Sequence, residues 1–282
     1  MDYLRIPAAP NLPLATGEYD SRYQEQFNNV LRLYFNQLSY SLQQLAGTQG
    51  GSAINFPYGA FHQDGQTTLT TGITNVSTTP IVVGSTSGFP SSGWILIGTE
   101  IIAYTAKTTT TFTGITRGVL GTTNAAHVAG DAITEVQGTG SPTTIGTVLF
   151  NNTDYTNGVY ASVDYTKVYF DKAGIYNLQL SLQLLNYTTT DDNVTVWIRQ
   201  NGADVAATGG IVTVASKHGT VPGATIAAWN YLLQVAANDY VSLAWTTDSG
   251  NTVLGTYPSG TSPVHPSSPG VIFTATFVSA PT

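Results

Sequence analysis

The chain has no cysteine among its 282 residues, and this absence excludes several classes of site. No disulfide framework can form, and no thiolate can serve as a metal ligand or as a nucleophile. Charged residues are scarce as well: they make up 9% of the chain, whereas roughly a quarter is usual in globular proteins. We therefore expect stability to come from packing and from burial between subunits.

The chain also lacks an excess of basic residues. Lysine and arginine together number 9, against 16 acidic residues, which gives a formal net charge of −7. A protein that binds nucleic acid neutralises phosphates with clustered lysine and arginine. The composition therefore predicts no nucleic-acid partner.

Long apolar runs are absent too. No segment approaches the roughly eighteen consecutive apolar residues of a membrane-spanning helix, so we predict no membrane span. The opening stretch, MDYLRIPAAPNLPLA, lacks the basic region and unbroken apolar run of a secretory signal. We expect synthesis in a cytoplasm, with exit from the cell only as part of an assembly or by lysis.

Familiar catalytic motifs are missing: the chain has no phosphate-binding Gly-x-x-x-x-Gly-Lys-Ser/Thr loop, His-Glu-x-x-His helix or Gly-x-Ser-x-Gly elbow. His127 and Asp131 have the composition of a catalytic dyad, but no nucleophile lies nearby in the sequence. We interpret them as a structural turn contact. Glu100 and Asp131 would form a glycosidase pair only if the fold brought their carboxyl groups within about 5 to 9 Å. We predict that the protein is not an enzyme and has no cofactor.

Two patterns bear on metal binding. Asp191 and Asp192 are adjacent, and clustered carboxylates suit calcium, but a solvated hairpin turn accounts for the same Thr-rich run. A threefold axis would be able to gather three copies of His62 around a metal ion, although an ordinary loop contact explains this histidine more simply. We predict no metal site.

The stretch that organises the chain runs from Gln24 to Leu45, where apolar side chains recur every three or four positions. The spacing predicts a helix with one apolar seam, which a single helix cannot bury. We predict a parallel trimeric bundle; the alternative is an amphipathic helix packed on the β domain of its own chain. The seam consists of Leu31, Phe35, Leu38, Leu42 and Leu45.

The residues before this helix are predicted to form an extended arm, because Pro7, Pro10 and Pro13 disfavour a helix. An apolar arm needs a groove on a neighbouring subunit or on a larger partner. We therefore predict that the arm is an anchor. Its anchoring side chains are Tyr3, Leu4, Ile6, Leu12 and Leu14.

The rest of the chain shows short β runs separated by turn residues, so the predicted fold class is mainly β. Seven or eight strands at regular spacing in the last region predict an antiparallel jelly-roll sandwich, and alternation is clearest in Gly174 to Leu185. Gly98 and Thr99 have the spacing of a hairpin turn. The predicted divisions are an arm (1–19), a trimerisation helix and connector (20–66), a small β barrel or sandwich (67–136), a linker (137–144) and a jelly-roll head (145–282).

The last region contains two motifs that carry a resemblance. Phe170, Gly174 and Tyr176 stand in the order Phe-x-x-x-Gly-x-Tyr, and Trp197 to Gly202 reads Trp-x-Arg-x-Asn-Gly. With these motifs the region resembles the trimeric jelly-roll heads of the tumour necrosis factor and complement-head superfamily, in the versions found in structural proteins of tailed bacteriophages. The resemblance implies that the strand after the first motif runs along a subunit interface. The interface residues expected in the head are Tyr176, Phe273 and Phe277.

Two further stretches resemble parts of phage virion proteins. GWILIGTEIIAYT (93–105), with FTGITRGVLGTTNAAHVAGDAI (112–133), is similar to a module that recurs in these proteins, and NNVLRLYFNQL (28–38) is similar to anchoring segments of phage appendages. The resemblances imply a homotrimeric fibre, decoration or appendage protein of the virion, which docks on other virion proteins through its arm.

A carbohydrate-binding module that recognises a host receptor, as in tail fibres, is the alternative function. A depolymerase with a site between subunits, and a cytokine-like ligand, are more remote. Tyr257 and His265, near a late loop rich in Pro, Ser and Gly, are the candidate contacts with a host glycan or protein. Trp229 and Tyr231 fit core or intersubunit packing better.

Overall fold

The structure, a computed structural model, describes residues 7–14, 17–46 and 56–280, with side chains as far as residue 43 in the helix. The chain forms two compact units, residues 1–56 and residues 57–282. Within the described residues, no helix is long and apolar enough to cross a membrane.

The first unit contains one helix, α1 (Ser21–Ala46), which includes the whole stretch predicted to be helical. Asp20 caps its start, because the Asp20 carboxylate accepts a hydrogen bond from the backbone N–H of Arg22 at 2.9 Å. None of the helix side chains that the structure describes is fully buried.

The second unit consists of β strands, with one short 3-10 turn at Val119–Gly121. The strands are β1 (Tyr58–Gln63), β2 (Gln66–Thr68), β3 (Ile81–Val82), β4 (Gly93–Ile97), β5 (Glu100–Tyr104), β6 (Ala106–Lys107), β7 (Thr111–Thr113), β8 (Ala132–Gly138), β9 (Gly146–Thr147), β10 (Asn152–Asn157), β11 (Val159–Ala161), β12 (Val168–Phe170), β13 (Gly174–Asn186), β14 (Asp192–Gln200), β15 (Ala203–Asp204), β16 (Gly210–Val214), β17 (Gly223–Val235), β18 (Tyr240–Thr247), β19 (Thr252–Gly255), β20 (Gly260–Thr261), β21 (Val264–His265) and β22 (Val271–Ser279).

Two antiparallel sheets pack face to face. In the larger sheet β13 lies between β17 and β22, and all 13 residues of β13 pair with β17. The second sheet has the order β11-β12-β18-β14-β15. Side chains from both sheets, such as Leu178 from β13 and Leu243 from β18, interleave in one buried core. The alternation along β13 is therefore explained by one face that points into this core.

The predicted middle region has a core of its own, built around residues such as Ile95, Ile102 and Phe112. A third cluster joins this region to the sandwich, because Leu96 and Val136 pack there with Leu185. The sheet also crosses the stretch predicted to be a linker: β8 continues to Gly138 and pairs with β19. Residues 57–282 thus form one unit that contains two modules with a shared sheet.

The strand predicted over Gly174 to Leu185 is present as β13, which ends one residue later than predicted. The Gly98 turn is confirmed, since Ile97 pairs with Glu100 and Gly98 has a φ of +61°. The connector predicted after the helix, within residues 20–66, differs: its latter part forms β1, which pairs with β10 and β22.

Candidate subunit interface

Two of the predicted interface residues lie in the core of a single chain. Tyr176 and Phe273 are both 0% exposed, and the Tyr176 hydroxyl donates to the Lys172 carbonyl at 2.9 Å. The assignment of these two residues to an interface is therefore corrected. In β13 and β22 the large apolar side chains point to the chain's own core, so only the opposite face of these strands is open to solvent.

Phe277, the third residue of that prediction, lies at the edge of the core. It is partly buried, packs against the core cluster, and its ring centroid is 5.5 Å from that of Tyr176. It belongs to the same inward row of β22 as Phe273.

The opposite face of β13, β17 and β22 carries no charge, since none of the residues in these three strands is charged. Cross-strand pairs place Gln179 between Asn230 and Thr274, and Ser181 between Ala228 and Ile272. We call this surface the uncharged face. It consists of Asn177, Gln179, Ser181, Gln183, Ile226, Ala228, Asn230, Leu232, Ile272, Thr274 and Thr276.

Large apolar side chains on the uncharged face are exposed to solvent. Ile226 and Leu232 are each 69% exposed, and Ile272 is 43% exposed. Between them, the small side chains of Ser181 and Ala228 leave a shallow hollow of about 430 Å³. Protein interfaces are depleted of charge at their centre and contain exposed apolar patches of this kind. The face has the chemistry of a surface that another protein covers.

The outer face of the other sheet is chemically different. The ring centroids of Tyr160 and Tyr169 are 5.5 Å apart, and Lys167 Nζ lies 5.1 Å from the ring centroid of Tyr240. The ion pair between Arg199 and Asp204 lies on the same sheet. Charges and phenol groups keep this face compatible with water, in contrast to the uncharged face.

The predicted seam of α1 is only partly covered. Leu31 and Leu38 are half-buried, whereas Phe35 is 56% and Leu42 is 55% exposed. The side chain of Leu45 lies outside the described residues. The seam therefore has apolar surface that remains available for a partner helix.

The predicted anchor is described only in part. Tyr3, Leu4 and Ile6 lie outside the described residues, whereas Leu12 is 42% and Leu14 is 93% exposed. The apolar side chains of the arm that the structure describes are thus accessible to a partner.

The two candidate receptor contacts occupy different surroundings. Tyr257 is partly buried beside the third cluster, which joins the middle module to the sandwich, and its backbone pairs with Ser268. His265 lies in the exposed β20–β21 hairpin, next to Val264, which is 87% exposed. Only His265 of the pair lies on an exposed hairpin. Trp229, by contrast, packs against the core as predicted.

His127 belongs to a buried charged cluster in the middle module. Its Nε2 lies 2.8 Å from Oε2 of Glu100, which is 0% exposed. Arg117 donates to both oxygens of Glu100, at 2.6 and 2.7 Å, and the backbone N–H groups of Gly118 and Ala125 complete the set. The sequence interpretation placed His127 only against Asp131, whose carboxylate is farther, at 3.8 Å from Nδ1.

This cluster connects several turns of the middle module by hydrogen bonds. Burial raises the pKa of Glu100, but hydrogen bonds from Arg117, Ala125 and His127 outweigh it, so the pKa lies below its ordinary value. Arg117 also donates to the carbonyls of Thr74 and Ser77. The signal in the sequence was the run Thr-Arg-Gly (116–118) followed by Ala-Ala-His (125–127), with a single glutamate, Glu100, 16 residues before Thr116.

The aspartates considered for calcium have other partners. Asp192 is 1% exposed and accepts hydrogen bonds from Ser249 and Thr252, so a solvated turn describes only its neighbour Asp191. His62 Nδ1 lies 3.1 Å from an Asp154 oxygen. In the part of the chain that the structure describes, no three His, Asp or Glu side chains come together as a metal site requires.

A scan of protein-family models found none that matches this chain, and a search of curated proteins found none either.

Proposed function

We propose that the protein is a structural component of a tailed-bacteriophage virion, a homotrimeric fibre or decoration protein anchored by its arm. Its carboxy-terminal sandwich is then a jelly-roll head that faces outward. The observation that carries the proposal is the uncharged face, where Ile226 and Leu232 stand in water in a single chain. Covering this face with further copies removes that apolar surface from solvent.

The helix supports the same proposal independently. Phe35 and Leu42 are more than half exposed, and they lie on the seam whose spacing suits a helical bundle. The number three rests on the resemblance of the head to trimeric jelly rolls and of the helix to phage anchoring segments. In this proposal the chain is made in the host cytoplasm and ends in the virion.

Charge placed on the uncharged face tests the interface. We expect the double variant Ile226→Glu/Leu232→Glu to sediment at a lower molar mass than the wild type, because burying two carboxylates between subunits is costly. Val163→Glu is the matched control, since Val163 is 97% exposed in a turn outside the face. Equal molar masses for the double variant and the wild type would count against this interface.

Location in the virion is tested by imaging purified particles at a resolution that places the chain. We expect density for three copies related by a threefold axis, with the arm against another virion protein and the sandwich outward. Particles that lack the chain, or that hold it as single copies, would contradict the proposal.

A further inference from the structure

A cleft lies where the middle module meets the sandwich. Strands β4 and β8 form one side, and β9 and β18 form the other. Its volume is about 290 Å³, near the lower end of the range of roughly 300 to 1,000 Å³ for ligand pockets. Such a volume suits a small ligand rather than a peptide. The side chains that matter here are Pro90, Ser92, Trp94, Gln137, Thr147 and Trp245.

Three glycines leave room for the two indole rings that line the cleft, those of Trp94 and Trp245. A Cβ atom on Gly138 would lie 1.9 Å from a ring carbon of Trp94, and one on Gly140 would lie 3.3 Å from the same ring. A Cβ atom on Gly146 would lie 2.6 Å from Nε1 of Trp245. These glycines allow the rings to lie directly against the backbone, so the partly exposed Trp94 indole forms a rigid apolar wall.

Polar groups surround this wall. Ser92 and Thr147 are exposed residues, and each has a hydroxyl group that can donate and accept hydrogen bonds. The Gln137 amide is held on both sides by Leu149: it donates to the Leu149 carbonyl at 3.1 Å and accepts from the Leu149 N–H at 2.9 Å. Gln137 is only 8% exposed, so its amide belongs to the wall of the cleft and not to the groups that a ligand reaches.

The cleft presents no charge to a ligand. Glu135 is the one ionisable residue among those that line it. Its side chain is 0% exposed, and burial raises its pKa to about 8, so it is neutral at pH 7. An uncharged cleft favours a neutral ligand, because a charged one would lose its hydration with no counter-charge in return.

We propose that this cleft binds a neutral pyranose, such as one residue of a host-surface glycan. The C–H groups on one face of a pyranose pack on the negative face of the Trp94 indole. The sugar hydroxyls then hydrogen-bond with Ser92 and Thr147. This binding site does not depend on the oligomeric state proposed above.

Saturation-transfer NMR on the full chain tests the site with free monosaccharides. The probes are glucose, galactose and N-acetylglucosamine, with glucuronate as the charged probe and the open-chain alcohol glucitol as the ring-free one. We expect transfer to the ring protons of at least one neutral pyranose, and markedly less to glucuronate and glucitol. No transfer to any neutral pyranose, or equal transfer to glucitol, would overturn the proposal.

Two adjacent exposed serines provide a blocking variant and its control. Ser92→Trp places an indole in the cleft, whereas Ser91→Trp adds the same group beside it, at a position that does not line the cleft. We expect Ser92→Trp to abolish saturation transfer and Ser91→Trp to leave it unchanged. Transfer that survives in Ser92→Trp would overturn the assignment. A molar mass that falls only in Ser92→Trp would also overturn it, since the cleft would then be a contact between copies.

Discussion

Glu100 and Glu135 are both fully buried glutamates of the middle module, and their surroundings differ. Glu100 has five hydrogen bonds that favour its charged form: two from Arg117, one from His127 and two from backbone N–H groups. Glu135 accepts one side-chain hydrogen bond, from Asn151 at 2.5 Å, and its other oxygen is buried without a partner in the described residues. The same residue type therefore has opposite effects on stability as the pH changes.

Glu135→Gln is expected to stabilise the protein at high pH. Burial raises the pKa of Glu135 from 4.5 to about 8, so between these values the folded chain holds a proton that the unfolded chain has lost. The free energy of unfolding falls as the pH rises through this interval. The glutamine variant avoids this loss, which amounts to roughly 3 to 5 kcal/mol by pH 8. Urea unfolding at pH 4 and pH 8 checks it; equal stability of variant and wild type at pH 8 would contradict the result.

Glu100→Gln is expected to destabilise the protein at pH 7, whereas Glu135→Gln stabilises it at high pH. The pKa of Glu100 in the folded chain lies below 4.5, so its contribution to stability is present above that pH and is lost as the pH falls through the folded pKa. At pH 7 we expect the variant to lose about 3 to 5 kcal/mol, because Arg117 is left buried without its counter-ion. The same urea series measures this loss, and a variant as stable as the wild type at pH 7 would refute the role of the cluster.

At the scale of strands and helices, the sequence predicted those elements whose burial pattern is regular. In β13, leucine alternates with polar residues because one face packs in the core, and this period identified the strand. The polar edge strand β10, with exposed residues such as Asp154 and Tyr155, shows no alternation and was missed. A strand whose two faces meet different surroundings is thus easier to recognise from sequence than a polar edge strand.

Two of the residues predicted to lie at an interface, Tyr176 and Phe273, are instead buried in the chain's own core. They were assigned through the resemblance to trimeric jelly rolls, and alternation along β13 and β22 does not by itself say which face lies in the chain's own core. The signal that would have corrected this was the absence of charge at the alternate positions, such as Gln179 and Ser181. Solvated strand faces usually carry lysine or glutamate, which supports solubility.

The helix offers its own test with a matched control. Phe35 and Leu42 lie on the seam of α1, whereas Leu33, which is 60% exposed, lies off it. We expect Phe35→Glu/Leu42→Glu to raise the dissociation constant of the oligomer at least about tenfold, and Leu33→Glu to leave it unchanged. Sedimentation equilibrium measures both. A result in which both variants dissociate equally would rule out a specific seam.

At the scale of the whole chain, few of the usual sources of stability and solubility are present. There are no disulfides, charges are few, and the uncharged face and the helix seam both leave apolar side chains in water. A monomer with these surfaces would tend to associate without specificity. Association into a closed trimer, as proposed here, removes both surfaces from solvent and leaves the charged, tyrosine-bearing face of the second sheet outward.

The molar mass of the intact chain in solution tests this account most directly. One chain has a mass of 29.7 kDa, so sedimentation equilibrium of the wild type is expected to give a single species of three times that mass, independent of loading concentration. A single species at the mass of one chain, over the same concentrations, would contradict the account.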